Sequence, residues 1–359
     1  MRPAARAAIT AGSVVLVGLL AMGARTLTAY GVFTDVTPGF AGTCKPVATA
    51  NGPEDIAIDE QSGLAFVSTL DRRAKRLAGH PSKADGLYVF KLADATPHLV
   101  KLTGTPADFH PHGISLVRTP NGLTLMAINH RGDGTHSVEI FSVATGGGSA
   151  KLTSVGSIAG GQLVSPNAIV ALDANRFYVT NDHGSRTDLG RSLDDYLVLP
   201  RANVLYFDGN VFREVARGLA FPSGIEVSPD QKFIYVGEAW NRRVTAFARQ
   251  PLSGTLEEAG SVAIPANVDN LRLDAKGQLW AGARPKALAM AEFRADPHKP
   301  APSEIFHIVL ANGIPQSAMG VYADLGQGIG GSSVAAVTGH RMLIGAPLDN
   351  HILDCTMDH

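Results

Sequence analysis

SPNAIVALDANRFYVTNDH, residues 165–183, contains two short apolar segments separated by the polar break DANR. A lone amide, Asn167, stands immediately before the first segment. Two apolar segments of strand length joined by a polar turn are typical of a β-hairpin. The stretch therefore predicts two antiparallel strands with a polar side chain at the start of the first.

The same pattern of a polar residue and two apolar strands around a turn occurs six times. The copies are GPEDIAIDEQSGLAFVST (52–69), HPHGISLVRTPNGLTLMAINH (110–130), the stretch above, FPSGIEVSPDQKFIYVGEA (221–239), ANVDNLRLDAKGQLWAGA (266–283) and GGSSVAAVTGHRMLIGAP (330–347). Their polar positions are Glu54, His112, Asn167, Ser223, Asp269 and Ser332. Self-similarity at a spacing of 46–63 residues indicates a repeat architecture.

Further strand-length segments fill the gaps between the copies. They are GLYVFKL (86–92), SVEIFSV (137–143), NVLYFDG (203–209) and RVTAFAR (243–249). Six repeats of about four strands predict an all-β fold, a six-bladed β-propeller with four-stranded blades. The first strand of each blade lines the central channel of a propeller. We therefore expect the six polar positions to meet at one end of that channel.

Composition excludes some classes of protein. The chain has 359 residues, of which 45% are apolar and 18% charged, and its formal net charge is −1. This is enough apolar material for a large core, and no basic tract stands out. We therefore expect neither a disordered chain nor a nucleic-acid partner.

The N-terminal segment differs from the repeats. Arg2 and Arg6 precede an apolar run over residues 7–24. Such a pattern is typical of a signal peptide, and a retained N-terminal membrane anchor also fits. We assign residues 1–40 to this leader and 41–359 to the propeller. The leader predicts an extracytoplasmic protein, secreted or held at a membrane by this segment.

The chain has two cysteines, Cys44 and Cys355, at the two ends of the predicted propeller. In an oxidising compartment such a pair is expected to form a disulfide. Two unrelated thiols are the alternative. A bridge between them would lock the closed ring.

Oxygen donors dominate the polar positions. Glu54 and Asp269 would neutralise one divalent cation, and Asn167, Asn270 and Ser223 would add neutral oxygens, a set that suits Ca²⁺. Asn and Asp before strands are also common turn formers, which is the alternative for each residue taken singly.

Two histidines flank the second hairpin, in PHGISL and AINHR. His112 and His130 lie at opposite ends of two strands that a turn would pair, so both should reach the channel. A histidine pair beside a metal suits a general base.

These motifs resemble the paraoxonase/arylesterase family of six-bladed calcium lactonases. The matching stretches are NGPEDIAI, FHPHGIS, INH, FYVTNDH, VDN and GSSVA with a terminal Cys, and they cover nearly the whole chain after residue 43 in the family's order. The resemblance implies a catalytic calcium held by Glu54, Asn167, Asp269 and Asn270. The family's remaining ligand, an Asn, corresponds to Ser223. The family's histidine dyad corresponds to His112 and His130, and Asp182 and His183 match a supporting active-site pair.

The resemblance also implies a second, structural calcium, and here the sequence departs from the family. Asp55 and the carbonyl of Ile114 correspond to two of its ligands. The carboxylate expected after Asn167 is Ala168, so we expect this site to be weak or empty. A family active-site histidine is Arg284 here, and residues 184–202 differ from the family's substrate-covering segment.

The expected activity is hydrolysis of small lactones and aryl esters by a water that His112, assisted by His130, deprotonates. Three alternatives remain open. They are a gluconolactonase-like sugar lactonase, a metal-free propeller enzyme of the strictosidine-synthase type, and a non-catalytic binding propeller with a structural calcium. An intact set of calcium donors disfavours the second, whereas Ser223, Ala168 and Arg284 keep the third open.

Overall fold

The fold is described from a computed structural model, which describes residues 3–74, 82–94 and 96–358. It begins with helix α1 (Pro3–Ala29). Two short strands follow, β1 (Gly39–Phe40) and β2 (Gly42–Ala48). Arg2, at the start of the predicted leader, lies outside the described residues.

Six antiparallel sheets follow one another around a ring, which confirms the predicted propeller. The first blade consists of β3 (Pro53–Asp59), β4 (Leu64–Thr69), β5 (Gly86–Lys91) and β6 (Val100–Lys101). The second consists of β7 (Pro111–Thr119), β8 (Gly122–His130), β9 (His136–Gly146) and β10 (Ser149–Ala159). The third consists of β11 (Pro166–Ala171), β12 (Phe177–Asn181), β13 (Ala202–Phe207) and β14 (Phe212–Leu219).

The second half of the ring has the same construction. The fourth blade consists of β15 (Pro222–Val227), β16 (Phe233–Glu238), β17 (Arg243–Arg249) and β18 (Leu256–Ala263). The fifth consists of β19 (Asn267–Leu273), β20 (Leu279–Arg284), β21 (Ser303–Ala311) and β22 (Ile314–Asp324), with β1 paired to its outer edge. The sixth consists of β23 (Val334–Thr338), β24 (Arg341–Gly345) and β25 (His351–Met357), and β2 is its fourth strand.

Local chemistry explains the hairpin turns. In the fifth blade the Asp274 carboxylate accepts backbone hydrogen bonds from Lys276 and Gln278, both at 2.9 Å. Gly277 completes this turn with φ +74°, a left-handed conformation that glycine adopts without steric cost. The turn therefore reverses the chain between two apolar strands.

The core lies between the blades. Facing apolar side chains of neighbouring sheets form six interblade clusters. Between the first two blades, for example, Phe66 packs with Ile114 and Phe141, and all three side chains are fully buried. Sheets packed face to face in this way explain why both faces of the inner strands are apolar.

The ends of the chain close the ring. β2 pairs with β25 along its whole length, so that Cys44 lies directly opposite Cys355. The two cysteines form a disulfide, as predicted, across a sequence separation of 311 residues. The sixth blade therefore contains strands from both termini, and the covalent bond holds them together.

The predicted hairpins and the additional strands all appear in the structure, which also contains two nine-residue helices, described along their whole length, that were not predicted. These are α2 (Asp188–Tyr196), between β12 and β13, and α3 (Ala287–Ala295), between β20 and β21. Thr187 caps α2 by accepting a hydrogen bond from the Gly190 amide. Both helices are only nine residues long, which is too short for a clear helical period in the sequence.

The segment before residue 41 contacts the propeller. Ala29, the last residue of α1, is buried, and its carbonyl accepts a hydrogen bond from Asn267 at 2.7 Å. The Tyr30 ring stacks on Trp240 with 4.8 Å between centroids. Among the described residues, no helix is both long and apolar enough to cross a membrane.

Candidate active site at the mouth of the channel

A β-bulge begins five of the six inner strands. The pairing register shifts after Pro53, Pro111, Pro166, Pro222 and Val268. A bulge re-aims the side chains that lie within it. The bulged residues include the predicted site positions Glu54, His112, Asn167, Ser223, Asp269 and Asn270. The fold therefore gathers these six residues at one end of the channel, here called the channel mouth.

The oxygen donors of the channel mouth are buried. Glu54, Asn167, Asp269 and Asn270 each expose 5% or less of their surface. Asn270 donates a hydrogen bond from Nδ2 to Glu54 Oε1 at 2.7 Å. Glu54 Oε2 and Asn167 Oδ1 are buried without a hydrogen-bond partner among the described residues. Burying polar oxygen atoms without hydrogen-bond partners costs free energy. Their placement therefore fits a site that binds a cation.

Ser223, the remaining predicted ligand, has a protein partner. Its side chain is fully buried, and Oγ donates to the carbonyl of Val268 at 2.7 Å. The hydroxyl thus links the fourth blade to the fifth, while its lone pairs remain free to accept. Among the described residues, no cluster of three or more His, Cys, Asp or Glu side chains could hold a metal ion, so a site here depends on the amides.

Two arginines lie close to these carboxylates. The Arg284 guanidinium forms an ion pair with Asp269 Oδ2. Burial lowers the pKa of Arg284 to about 10, and the Glu54 carboxylate opposes this effect. Burial likewise lowers the pKa of Arg72, again against Glu54. At neutral pH the channel mouth therefore contains guanidinium charges that would compete with a metal for the carboxylates.

Three histidines form a hydrogen-bonded chain beside the carboxylates. His112 Nδ1 lies 2.9 Å from His130 Nε2, and His130 Nδ1 lies 3.0 Å from His136 Nδ1. His112 Nε2 is 3.7 Å from Glu54 Oε1. Although burial acts to raise it, the proximity of His112 keeps the pKa of Glu54 below its usual value, and the Arg72 guanidinium acts in the same direction. The structure thus brings the predicted pair together.

Asp182 and His183 orient their neighbours. Asp182 Oδ2 accepts a hydrogen bond from Asn167 Nδ2 at 2.8 Å, which fixes the orientation of that amide. His183 lies between Asp182 and Asp195 of α2, at 2.7 and 3.0 Å. Burial acts to lower the pKa of His183, but hydrogen bonds to the two carboxylates outweigh it and raise the pKa to about 10. His183 is therefore a charged link to α2 at neutral pH.

The residues expected at the second calcium site hold an arginine instead. The Arg272 guanidinium donates hydrogen bonds to both the Asp55 carboxylate and the Ile114 carbonyl. Ala168, at the position where the family resemblance predicts a carboxylate, is buried, and its side chain has no ligating atom. Protein groups thus satisfy both predicted ligands.

Four members of this region were not predicted from the sequence: His136, Arg72, Arg272 and Asp195. A signal existed for His136, because the hairpin that holds His130 pairs these two residues directly. A charged residue within a buried inner strand was the signal for Arg272. The other two come from connecting segments, and only the folded chain brings them to the channel.

The fold and the channel mouth place the chain among six-bladed propellers with a polar site at one end of the channel. A sequence profile of the Arylesterase family matches residues 42–357, and the chain belongs to this family. It is 31% identical to serum paraoxonase/arylesterase 2 of Rattus norvegicus over 300 residues, covering 82% of this chain and 83% of that protein. It is also 31% identical to serum paraoxonase/arylesterase 1 of Rattus norvegicus over 326 residues, covering 89% and 90%.

Solved structures share the fold at low sequence identity. A luciferin-regenerating enzyme matches with a TM-score of 0.52 and 10% identity, covering 88% of this chain and 95% of that one. A protein described as a candidate gluconolactonase matches with a TM-score of 0.51 and 14% identity, covering 91% and 95%. At such identities the likeness concerns the fold alone.

Proposed function

We propose that the protein is a calcium-dependent hydrolase of lactones and aryl esters. Membership of the arylesterase family supports the broader statement, hydrolysis of carboxylic esters or lactones. One observation supports the finer statement: within the described part of the chain, a buried oxygen of Glu54 and one of Asn167 have no hydrogen-bond partner, and both residues lie beside a paired histidine base. This combination suits a metal-assisted attack of water on a carbonyl.

The proposed ligands of the calcium are Glu54, Asn167, Asp269 and Asn270, with Ser223 as a weaker fifth donor. Two carboxylates and two amides supply the hard oxygen atoms that Ca²⁺ prefers. When bound, the ion would polarise the substrate carbonyl and stabilise the negative charge that develops on its oxygen. Asp182 supports this set because it holds Asn167 Nδ2, which leaves Oδ1 to face the channel.

We assign the general base to His112. If its Nδ1 carries a hydrogen and donates it to His130 Nε2, its Nε2 is free to accept a proton from water. His130 then carries its own hydrogen on Nδ1, which donates to His136 Nδ1. In this arrangement each ring donates a hydrogen bond to the next, from His112 to His130 and from His130 to His136. The chain of hydrogen bonds would help stabilise the positive charge that His112 gains when it accepts a proton. His183 has a different role, since it fixes α2 beside the mouth.

The test is an activity panel with purified protein. The substrates are an aromatic ester, an acyl-homoserine lactone, a sugar δ-lactone and an organophosphate triester, each measured in calcium and after chelation. We expect turnover of the ester or the aliphatic lactones that chelation abolishes and calcium restores. Equal turnover with and without chelator would refute the metal role, and preference for the sugar lactone would favour the gluconolactonase-like alternative.

Two variants test whether His112 acts as the general base, independently of any effect on folding. His112→Gln should lower kcat by about 100-fold or more, because general bases contribute about 10²–10⁴-fold. His340→Gln is the matched control, since His340 is exposed in the turn between β23 and β24. Unchanged turnover in His112→Gln would refute the assignment. Calcium binding without any turnover in the wild-type chain would favour the binding propeller.

We also propose an extracytoplasmic location, with a signal peptide or membrane anchor within residues 1–40. The disulfide supports an oxidising compartment, because cytosolic conditions keep most thiols reduced. Residues from Ala29 onward contact the propeller, so we expect them to remain in the mature protein. N-terminal sequencing of the protein purified from its native membrane and medium fractions would test both statements.

A further inference from the structure

Arg272 is a buried cation at the centre of the ring, and the catalytic proposal does not use it. It lies on β19, three residues beyond Asp269 and therefore deeper in the channel. Its side chain is 11% exposed and that of Asp55 only 1%. A guanidinium in such a place needs hydrogen-bond acceptors for its donors.

The acceptors come from several blades. Nη2 donates to Asp55 Oδ2 at 2.5 Å and to the Ile114 carbonyl at 2.8 Å, on the first and second blades. Nε donates to the Ile56 carbonyl at 2.8 Å. Nη1 donates to the Leu271 carbonyl at 3.0 Å within the fifth blade. These bonds use four of the five guanidinium hydrogens.

The fourth blade of the ring contributes a negatively charged side chain. Glu226 Oε2, on β15, lies 3.9 Å from Arg272 Nη1. The third blade differs, because Ala168 presents only a methyl group and is itself buried. The guanidinium thus has two carboxylates and two interblade carbonyls as neighbours, while the third blade supplies no ligating side chain.

We propose that the Arg272 guanidinium replaces a structural calcium ion and ties the inner strands of four blades together. The guanidinium carries one positive charge and donates hydrogen bonds to the Asp55 carboxylate and the Ile114 carbonyl. A calcium ion at this position would need the same two groups as ligands. Three of the about four lone-pair sites of the Asp55 carboxylate are already used, since Oδ1 accepts from the Ile56 amide at 2.9 Å and Oδ2 accepts from the Ile114 amide at 2.8 Å as well as from Arg272. A divalent ion placed there would face the guanidinium charge directly.

The first test is the calcium content of the wild-type chain, measured by equilibrium dialysis and elemental analysis. We expect no more than one tightly bound calcium per molecule. Two tightly bound ions would overturn the proposal, whether or not the protein is active.

The second test measures melting temperature. Arg272→Met should lower Tm by about 6–10 °C, because it leaves the Asp55 carboxylate buried without its counterion. Arg118→Met is the control, since Arg118 of the second blade pairs with Asp59 of the first blade but is 34% exposed. We expect the control to lose about 2 °C or less. Equal small losses in both variants would overturn the proposal.

The third test separates this cation from the one at the channel mouth. Asp269→Asn weakens the proposed catalytic site and leaves Arg272 and its acceptors in place. In this background Tm should be the same in calcium and in chelator to within about 1 °C. A calcium-dependent rise of several degrees would overturn the proposal, and it would do so independently of any result on catalysis. If Arg272→Met fails to fold, the first and third tests still decide.

Discussion

Replacing Arg284 by methionine tests how the channel mouth binds a cation. In the structure the Arg284 guanidinium pairs with Asp269, a proposed calcium ligand. The side chain stays charged at neutral pH, because burial lowers its pKa only to about 10. A calcium ion bound by Asp269 must compete with this pair. Arg284→Met keeps an unbranched side chain that resembles the apolar stem of arginine and removes the charge, so we expect calcium to bind more tightly.

The size of the effect follows from the contact that is lost. A hydrogen bond between charged groups is worth about 1.5–3 kcal/mol. Calcium binding to the wild-type protein has to break this one ionic contact on Asp269, whereas binding to the variant does not. Since about 1.4 kcal/mol corresponds to a factor of ten, the calcium Kd should fall about 10- to 100-fold.

The assay is titration calorimetry, or competition with a calcium-binding dye, at pH 7.5. Arg243→Met is the control, because its guanidinium pairs with the buried Glu238 at 2.5 Å but contacts none of the proposed ligands. We expect its Kd to stay within about twofold of the wild-type value. Unchanged or weaker calcium binding by Arg284→Met, with the control folded normally, would refute the competition between guanidinium and metal.

Three further predictions concern the ring closure and the histidines. Replacing Cys44 and Cys355 by serine should lower the free energy of unfolding by about 4–6 kcal/mol in urea titrations, because the bond closes a loop of 311 residues. Because the folded-state pKa of His183 is raised to about 10 from 6.5, its stabilising effect is complete below pH 6.5 and is lost as pH rises towards 10. The loss should not exceed about 5 kcal/mol and should disappear in His183→Gln. His136→Gln should lower kcat about 10-fold, less than His112→Gln, because His136 acts only through His130.

Each of these predictions has a defined contrary result. A cysteine-free variant within about 1 kcal/mol of wild type would show that the β2–β25 pairing alone closes the ring. The same fall in stability between pH 6.5 and 10 in His183→Gln would assign the fall to other groups. A loss of kcat in His136→Gln as large as that in His112→Gln would give His136 a direct part in the reaction.

The six hairpins could be predicted because their signals are local. Alternating apolar residues, polar positions before strands and turns such as DAKG each lie within about twenty residues. Counting the copies then predicted the propeller, and with it the meeting of Glu54, His112 and Asn167 at one end of the channel. The disulfide followed from the same closure, since Cys44 and Cys355 flank the repeats. The two cysteines meet because the ring closes, and the sequence near either terminus would not predict this contact by itself.

Other features depended on contacts between distant parts of the chain. The proline-led bulges that turn Asn167 and Ser223 into the channel appear only when two strands pair in register. Helix α2 and its Asp195 reach His183 because the third blade places its loop over the mouth. Short helices of this kind have too few turns for their period to stand out in the sequence.

The sequence by itself determined that the chain forms six β-hairpin repeats with oxygen donors and histidines in equivalent places. Strand period and turn chemistry are short-range properties, so they can be read from consecutive residues. Only the tertiary structure decided which positively charged side chain pairs with each carboxylate. Arg272 meets Asp55 across 217 residues and Arg284 meets Asp269 across a bulge, and these pairs form because closing the ring brings every inner strand to one axis. Electrostatic energy depends on distance in space, which the order of residues does not contain.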